Sequence, residues 1–538
     1  NGEGKWYMEV YPFNTTDTGG LYFGICDDQM VNGGVTVANT YPGGPGGVAY
    51  AANGTIADNG SNPFTGQPTY TAGDVISVAY DADNGKVYFA KNGVYLNGAN
   101  PVTGDNPHDT GRTGDQFFVV GAYGNRNVTT NFGQKLFKFP PPKGYRPLTN
   151  VNSLPDVVIA NSSQYVGVTT YAATGSDDIT KSDLNHQPDF LWIKPTNNSG
   201  QHTLTDSVRG VTWSLKSDST NGQEERTGNN SKVKSFNING FTIGTNNDVN
   251  NTGDYVAWSW KAGGNKDTFN INDEGYSTAA AAGITGLDGT DQLTTAKFTG
   301  CSIGTEQGFS IIKYIGVGGG NTLVPHGLTQ TPDMVIVKNL DETVDWAITH
   351  SGLPGNRSLR FTTADTSTSG FLGLNKGGLT STHFTVNYSD TNANYVNSSN
   401  DNFIAYCWHS VPGLQKFGTY EGIGGTADGA FVELGFRPAI VWVKNIDTNN
   451  SNCHWCVFDN LRPGINKSPA QNRLHLDADS QEDPDRVDDG QGIDILSNGF
   501  KVRSNNWYET NLSGSTYIYC AWAETPQSNL FGGQANAR

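Results

Sequence analysis

Pro188-Asp189-Phe190-Leu191-Trp192-Ile193-Lys194 returns as Pro332-Asp333-Met334-Val335-Ile336-Val337-Lys338, and again as Pro438-Ala439-Ile440-Val441-Trp442-Val443-Lys444. Each copy is a short apolar run opened by proline, whose missing N–H is harmless at a strand start, and closed by lysine. A second anchor follows each: Tyr255-Val256-Ala257-Trp258-Ser259-Trp260, Phe403-Ile404-Ala405-Tyr406-Cys407-Trp408 and Tyr517-Ile518-Tyr519-Cys520-Ala521-Trp522. Between the anchors lie Asn239-Gly240-Phe241-Thr242-Ile243, His383-Phe384-Thr385-Val386 and Asn498-Gly499-Phe500-Lys501-Val502. One supersecondary unit is therefore written three times, with length drift confined to loops. Roughly seven short strands per repeat predict a β-sandwich.

The composition agrees. Gly numbers 68 of 538 residues, and only 16% of residues are charged, a poor stock for helices. Aromatics at 11% are too many for a disordered chain. Set against 35% hydrophobic residues, they predict surfaces awaiting a partner. The net charge of −17, with no Lys/Arg cluster, excludes nucleic acid as the main partner. No run of ~18 apolar residues exists to span a membrane. Asn1-Gly2-Glu3-Gly4 is neither a signal peptide nor a natural start, so the chain is expected to be the ordered part of a longer protein.

Ahead of the repeats, residues 1–150 alternate with period two. Lys5-Trp6-Tyr7-Met8-Glu9-Val10 reads as a strand, and Asn84-Gly85 and Asn92-Gly93 read as hairpin turns between strands of the segment 73–94. Asp81 and Asp83 lack the spacing of a calcium loop. The chain thus divides into an N-terminal sandwich at 1–150 and repeats at 151–264, 308–412 and 413–538. Residues 265–307 are a linker or inserted arm. The fold class is all-β.

Residues 73–94, with Lys5 to Val10 before and Asn131-Phe132-Gly133-Gln134 after, resemble a SPRY-like domain, a concanavalin-like β-sandwich used for binding. From about 156 onward the chain resembles a repeated domain of unknown function found in structural proteins of tailed bacteriophages. The motifs are Asp206-Ser207-Val208-Arg209-Gly210, Gly308-Phe309-Ser310-Ile311-Ile312-Lys313-Tyr314, His326-Gly327-Leu328 and Lys416-Phe417-Gly418-Thr419-Tyr420. The second repeat carries His350-Ser351-Gly352-Leu353-Pro354-Gly355 where the first has Asp-Ser-Val-Arg-Gly, which puts a role common to all repeats in doubt. The resemblance implies a virion protein, a tail fibre or other appendage assembled in the host cytoplasm and contacting other virion proteins. It also implies a homo-oligomer, a trimer by analogy, and no catalytic signature. A capsid fibre or decoration protein and a glycan depolymerase are the alternatives.

Chemistry is sparse. No nucleophile elbow, phosphate loop or His-Glu-x-x-His occurs. Cys453-His454-Trp455-Cys456 is a lone CxxC, and the six cysteines read as buried packing residues. His326 reads as a structural hydrogen-bonding residue. The acidic stretch 477–489 gives calcium candidates Asp477, Asp479 and Asp485, since hard oxygen ligands cluster there. No other cofactor is expected. A host surface glycan needs aromatic faces beside amides. Asn506, Trp507 and Tyr508, in a polar loop between strands, and Trp213 are the binding candidates. Trp346 and Trp455, matched by His202 in the first repeat, read as core.

Overall fold

The computed structural model describes residues 4–526 apart from 14–19, 28–41, 123–126, 134–136, 148–158, 160, 285–296, 356, 362–367, 370–372, 388–392, 426–428, 449, 463–465, 467–472 and 483–491. Strand makes up 46% and helix 3%, which establishes the all-β class. The chain forms two compact units, Asn1–Pro155 and Asp156–Arg538.

The first unit is a two-sheet sandwich. One sheet orders Val128–Asn131, Lys5–Pro12, Ile76–Asp81, Lys86–Lys91 and Val94–Tyr95; the other orders Ser61–Phe64, Ile56–Asp58, Gly47–Ala51, Leu21–Asp27 and Gln116–Ala122. Alternation turns Met8, Val10, Ile76, Val78 and Phe89 of one sheet onto Phe23, Ile25, Val48 and Tyr50 of the other. Glu9 is fully buried, and its carboxylate accepts the Lys138 and Phe139 N–H groups, each at 2.8 Å. The Asn92-Gly93 turn is a two-residue hairpin turn with both residues left-handed, φ 48° and 79°. The Asn84-Gly85 hairpin differs from expectation. Its loop spans four residues between the paired Asp81 and Lys86, and only Gly85 is left-handed. A Cβ at Gly85 would lie 2.5 Å from the Arg112 carbonyl oxygen, so only glycine fits. The Asp81 carboxylate is engaged by Asn84 and by Lys5 at 2.8 Å.

In the second unit each repeat has a main sheet with the same strand order. The first uses Val166–Ala173, Gly253–Trp260, Phe190–Pro195 and Thr203–Asp206. The second uses Phe309–Ile315, Asn402–Trp408, Met334–Asn339 and Ala347–His350. The third uses Gln415–Glu421, Thr516–Pro526, Phe436–Asn445 and Cys456–Asp459. Registers agree as well. Trp192 pairs with Trp258, Ile336 with Tyr406 and Trp442 with Cys520, each four positions beyond its proline. The third strand starts earlier, at Phe436, and bulges around Pro438 to keep the register. Residues 265–307, expected as a linker or inserted arm, add Lys297–Gly304, Phe269–Ile271 and Glu274–Tyr276 to the edge of the second repeat's sheet.

The repeats are not beads on a string. Each main sheet turns one face to its own small second sheet, giving three private cores. The opposite faces of all three meet in one shared core. Eight of the eleven tryptophans lie there: Trp192, Trp258, Trp260, Trp346, Trp408, Trp442, Trp455 and Trp522. Trp442 and Trp522 approach to 4.8 Å between ring centroids, Trp260 and Trp522 to 5.3 Å, Trp408 and Trp522 to 6.1 Å. Edge-to-face contacts of this kind contribute ~0.5–1.5 kcal/mol each beyond burial. Much of the aromatic content is thus used inside the unit, while Phe13, Phe117 and Phe431 stay exposed.

Two rings of hydrogen bonds close the arrangement. In the first repeat Asp206 binds Arg209 at 2.5 Å and accepts the hydroxyl of Tyr406 in the second repeat at 2.8 Å. In the third, Asp459 binds Arg462 at 2.6 Å and accepts the indole N–H of Trp258 in the first, at 3.0 Å. In the second, His350 accepts the Gly352 N–H at Nδ1 and meets the Tyr519 carbonyl of the third at Nε2, 3.3 Å away. The imidazole thus performs both tasks of the missing aspartate: it accepts from its own turn and reaches the next repeat. The other ring runs backwards. Trp346 donates to Lys216 O, Trp455 to Arg360 O, and His202 Nε2 lies 2.9 Å from His475 O. Because Trp192 donates to His202 Nδ1 at 2.8 Å, Nε2 carries the proton and donates.

The lysines that close the anchor strands are fully buried at 194, 338 and 444. Lys194 donates to Asp479 O and Ser480 O of the third repeat, and Lys338 to Thr220 O of the first. Burial lowers both to about 8.

A shared core makes the second unit one cooperative body. Trp260→Ala is expected to cost ~3–5 kcal/mol and to accelerate amide exchange in all three repeats together. Exchange confined to residues of the first repeat would mean the lobes fold independently.

Candidate functional site

The loops between the second-anchor strands and the small sheets carry one scaffold in all three repeats. A tyrosine hydroxyl of the first strand donates to a loop carbonyl at 2.8 Å in each: Tyr171 to Val249, Tyr314 to Val396 and Tyr420 to Thr510. The residue after that carbonyl is a buried asparagine, Asn250, Asn397 or Asn511; its amide binds the loop's own entry at Gly244 O and Ser504 O in the first and third repeats, and Gly319 O of the adjoining loop in the second. The tyrosine is stacked on Tyr255, Phe403 or Tyr517 of the closing strand at 5.2, 5.1 and 4.9 Å. On this common frame the displayed side chains differ. Trp507 stands where the siblings have Asn246 and Ala393, and Tyr508 where they have Asn247 and Asn394.

In the third repeat the loop 504–511 is held by the same contacts, and its aromatics are not free tips. Asn505 and Asn506 are exposed, while Trp507 and Tyr508 are half-buried. The Trp507 indole N–H donates to Glu509 Oε2 at 3.2 Å, and Asn506 Oδ1 accepts the Ser513 N–H at 2.8 Å. The Tyr508 carbonyl accepts from Asn445 and Tyr517. Trp213 lies in the first repeat, half-buried in the hairpin of Trp213–Ser214 with Glu224–Glu225.

The structure brings the loop together with two other features that the sequence singled out separately. Alternation along the CxxC sends Trp455 into the shared core and Cys456 into the third repeat's own core. Cys456 is the cross-strand partner of His475. Glu509 reaches this pair from the loop: its Oε1 lies 3.0 Å from His475 Nε2, and its Oε2 lies 3.0 Å from Arg473 Nε. His454 stacks on His475 at 4.3 Å between centroids and contacts Asp477 at 3.2 Å. Burial works to raise the Glu509 carboxyl, but His475, Arg473 and His454 outweigh it and hold it at about 2. Burial likewise works against a charged His454, and Asp477 overcomes it and raises the imidazole. Sequence reasoning missed Glu509, Arg473 and His475, because nothing local links them. For His475 and Glu509 the signal is positional, at slots that the siblings fill with Lys216 and Asp248 or Arg360 and Tyr395, whereas Arg473 stands where they have Ser214 and Ser358.

Among the described residues, Asp477 and Asp479 do not come together in an oxygen cage. Asp477 Oδ1 is taken by His454 and the Trp455 N–H at 3.2 Å. Asp479 is exposed and lends its backbone carbonyl to Lys194, and Asp485 lies outside the described residues. Glu482 pairs with Arg462 of the same repeat at 2.8 Å, and its backbone N–H donates to Thr196 O of the first, so this stretch ties the third repeat to the first. His326 is buried with its Nδ1 accepting the Leu328 N–H, a structural role. All six cysteines are buried and unpaired with one another. A groove of about 790 Å³ lies elsewhere, lined by Gln164, Tyr165, Asn185, Lys261, Asn272 and Glu306.

Two family models match the chain. One, described as "Domain of unknown function (DUF7483)", covers residues 161–526, and the SPRY domain covers residues 5–135. Among solved structures, the SPRY domain of human HERC1 is 20% identical, covers 25% of this chain and 78% of that one, and has a TM-score of 0.18. A human SPRY domain is 20% identical, covers 24% and 78%, and has a TM-score of 0.17. A search of curated proteins finds no match.

The Glu509 network makes stability depend on acid in a definite direction. The folded-state value lies below the ordinary 4.5, so its contribution is complete above pH 4.5 and is lost as pH falls towards 2. His202, held near 3 by burial against the usual 6.5, acts with the same sign between pH 6.5 and 3. Glu509→Gln is expected to remove ~1–3 kcal/mol of the difference between urea unfolding at pH 5 and pH 3. An unchanged difference would mean that Glu509 is not held ionised by this network.

Proposed function

The chain belongs to the DUF7483 family through residues 161–526 and carries a SPRY domain at residues 5–135; from that premise we propose that it is a non-enzymatic virion protein of a bacteriophage, a tail fibre or similar appendage that attaches to the host surface. The observation that carries this reading is the loop scaffold. Three lobes locked around one core hold three equivalent loops by the same tyrosine–asparagine frame, and the residues on display differ from lobe to lobe. A rigid repeated frame with varied tips suits recognition, because little ordering cost remains at binding. The SPRY domain, a fold used for binding, fits the same role, and the sequence resemblance to phage structural proteins supplies the virion setting. Other virion proteins hold it on the particle. The external partner is a host surface glycan, met by the amides and half-exposed rings of Asn506, Trp507 and Tyr508. The 790 Å³ groove beside Tyr165, with its amide lining, is a second surface of the right chemistry.

Particle reconstruction tests the setting. Density for this fold on the tail or baseplate is expected; density on the capsid shell would make it a decoration protein instead. The purified chain is expected to compete with particles for adsorption to host cells. Trp507→Ala should weaken that competition by ~1–3 kcal/mol while the unfolding midpoint stays within a few degrees. Unchanged competition would remove the loop from the binding surface. The proposal includes a homo-oligomer, a trimer of 57.7 kDa chains, and light scattering at micromolar concentration that gives a monomer would overturn that part.

A further inference from the structure

The third repeat departs from its siblings at three positions that meet in space. In the first repeat, Lys216 and Asp248 form an ion pair at 3.4 Å, beside Thr203. In the second, the Arg360 guanidinium lies 5.9 Å from the Tyr395 ring, beside Ala347. In the third, the equivalent pair is His475 and Glu509 at 3.0 Å, and the neighbour is Cys456. The pairing that ties loop to hairpin is common to all three. Only the third version exchanges an ammonium or guanidinium for an imidazole and adds a thiol. Packing does not call for that thiol, since Ala347 fills the same slot in the second repeat's core.

The donors are disposed as ligands. A sulfur of Cys456, a ring nitrogen of His475 and a carboxylate oxygen of Glu509 all lie within 4.8 Å of one another. Thiolate, imidazole and carboxylate together are the donor set that zinc accepts with three protein ligands and one open position. One neighbour must move and the others fit: Arg473 Nε also donates to His475 Nε2 at 3.2 Å, so this N–H has to turn onto Glu509 alone when a cation takes the nitrogen. Glu509 Oε2 faces Arg473 Nε at 3.0 Å and accepts from Trp507 Nε1 at 3.2 Å, which turns Oε1 towards His475. Outer donors of this kind orient a ligating carboxylate. His475 is itself fixed from behind, because its backbone carbonyl accepts from His202.

We propose that Cys456 Sγ, His475 Nε2 and Glu509 Oε1 bind one zinc-class divalent cation. Binding replaces the His475–Glu509 hydrogen bond with two metal–ligand bonds. The Cys456 thiol gives its proton to solvent, His475 ligates through Nε2 as the Nδ1–H tautomer after releasing the Arg473 N–H, and Glu509 ligates as its carboxylate, so no redox partner enters. The ion ties Cys456–Asp459, Leu474–His475 and the loop 504–511 to one point beneath Trp507. The site lies beneath the loop assigned to attachment, but its test reads metal binding and does not rest on that reading.

The test uses the full chain, stripped with a chelator and titrated with cobalt chloride. One equivalent is expected to produce a thiolate-to-cobalt charge-transfer band, which zinc chloride then abolishes while raising the melting temperature. Residues borrowed from the siblings give variants whose fold is safe: Cys456→Ala and His475→Lys. Both should remain folded, and Cys456→Ala should lose the band. Trp507→Phe, which removes only a donor behind Glu509, should weaken cobalt binding by ~10–100-fold. Absence of the band in the unsubstituted chain overturns the proposal. So does equal binding by Cys456→Ala, which would mark an adventitious ion, or stabilisation by calcium chloride but not by zinc.

Discussion

The second unit depends on a closed circuit of buried contacts between repeats. Asp206 reaches Tyr406, His350 reaches the backbone at Tyr519, and Asp459 reaches Trp258. Each repeat touches the next through one strand-end side chain, and the third touches the first. A charge-assisted hydrogen bond in such a buried place contributes ~1.5–3 kcal/mol, and losing one partner costs more, since the other is left without water. The circuit fixes the rotation between lobes, and that rotation packs the eight tryptophans face to edge. Without closure, each main sheet would leave an aromatic face in water.

Closure explains why one motif tolerates two chemistries. Asp206 and Asp459 each use one oxygen for their own turn and the other for Arg209 or Arg462 and the neighbouring repeat. His350 divides the same labour between its two ring nitrogens. The apparent departure of the second repeat is a substitution of one two-handed group for another. The same holds for Trp346, Trp455 and His202, which all present a ring N–H to a carbonyl of the preceding repeat. What must be kept is the hydrogen-bond role and the burial, and several side chains satisfy both.

A frame so constrained separates fold from function by position. The tyrosine–carbonyl bond of the lock recurs at 2.8 Å in all three repeats, while the residues it displays vary. In the third repeat the variation is concentrated: an indole above, and an imidazole, a carboxylate and a thiol beneath it. The segment 477–482, part of the acidic stretch that offered calcium candidates, is structural. Its backbone carbonyls receive Lys194, and Glu482 receives Arg462.

Sequence alone determined the all-β class, the threefold repetition, its register at Pro188, Pro332 and Pro438, and the SPRY resemblance of the first unit. These rest on period-two alternation and on turn chemistry, which act between residues near in the chain. It also marked Trp346 and Trp455 as core and His326 as structural. Tertiary structure alone decided that the repeats share a core, because an alternating strand hides one face without saying against what. It decided the four-residue loop at Asn84-Gly85, where the Arg112 backbone leaves room only for glycine. It also decided that Cys456, His475 and Glu509 meet. The cysteine and histidine are paired by strand register, and the glutamate arrives from a loop some thirty residues on, a distance along which no local pattern carries information.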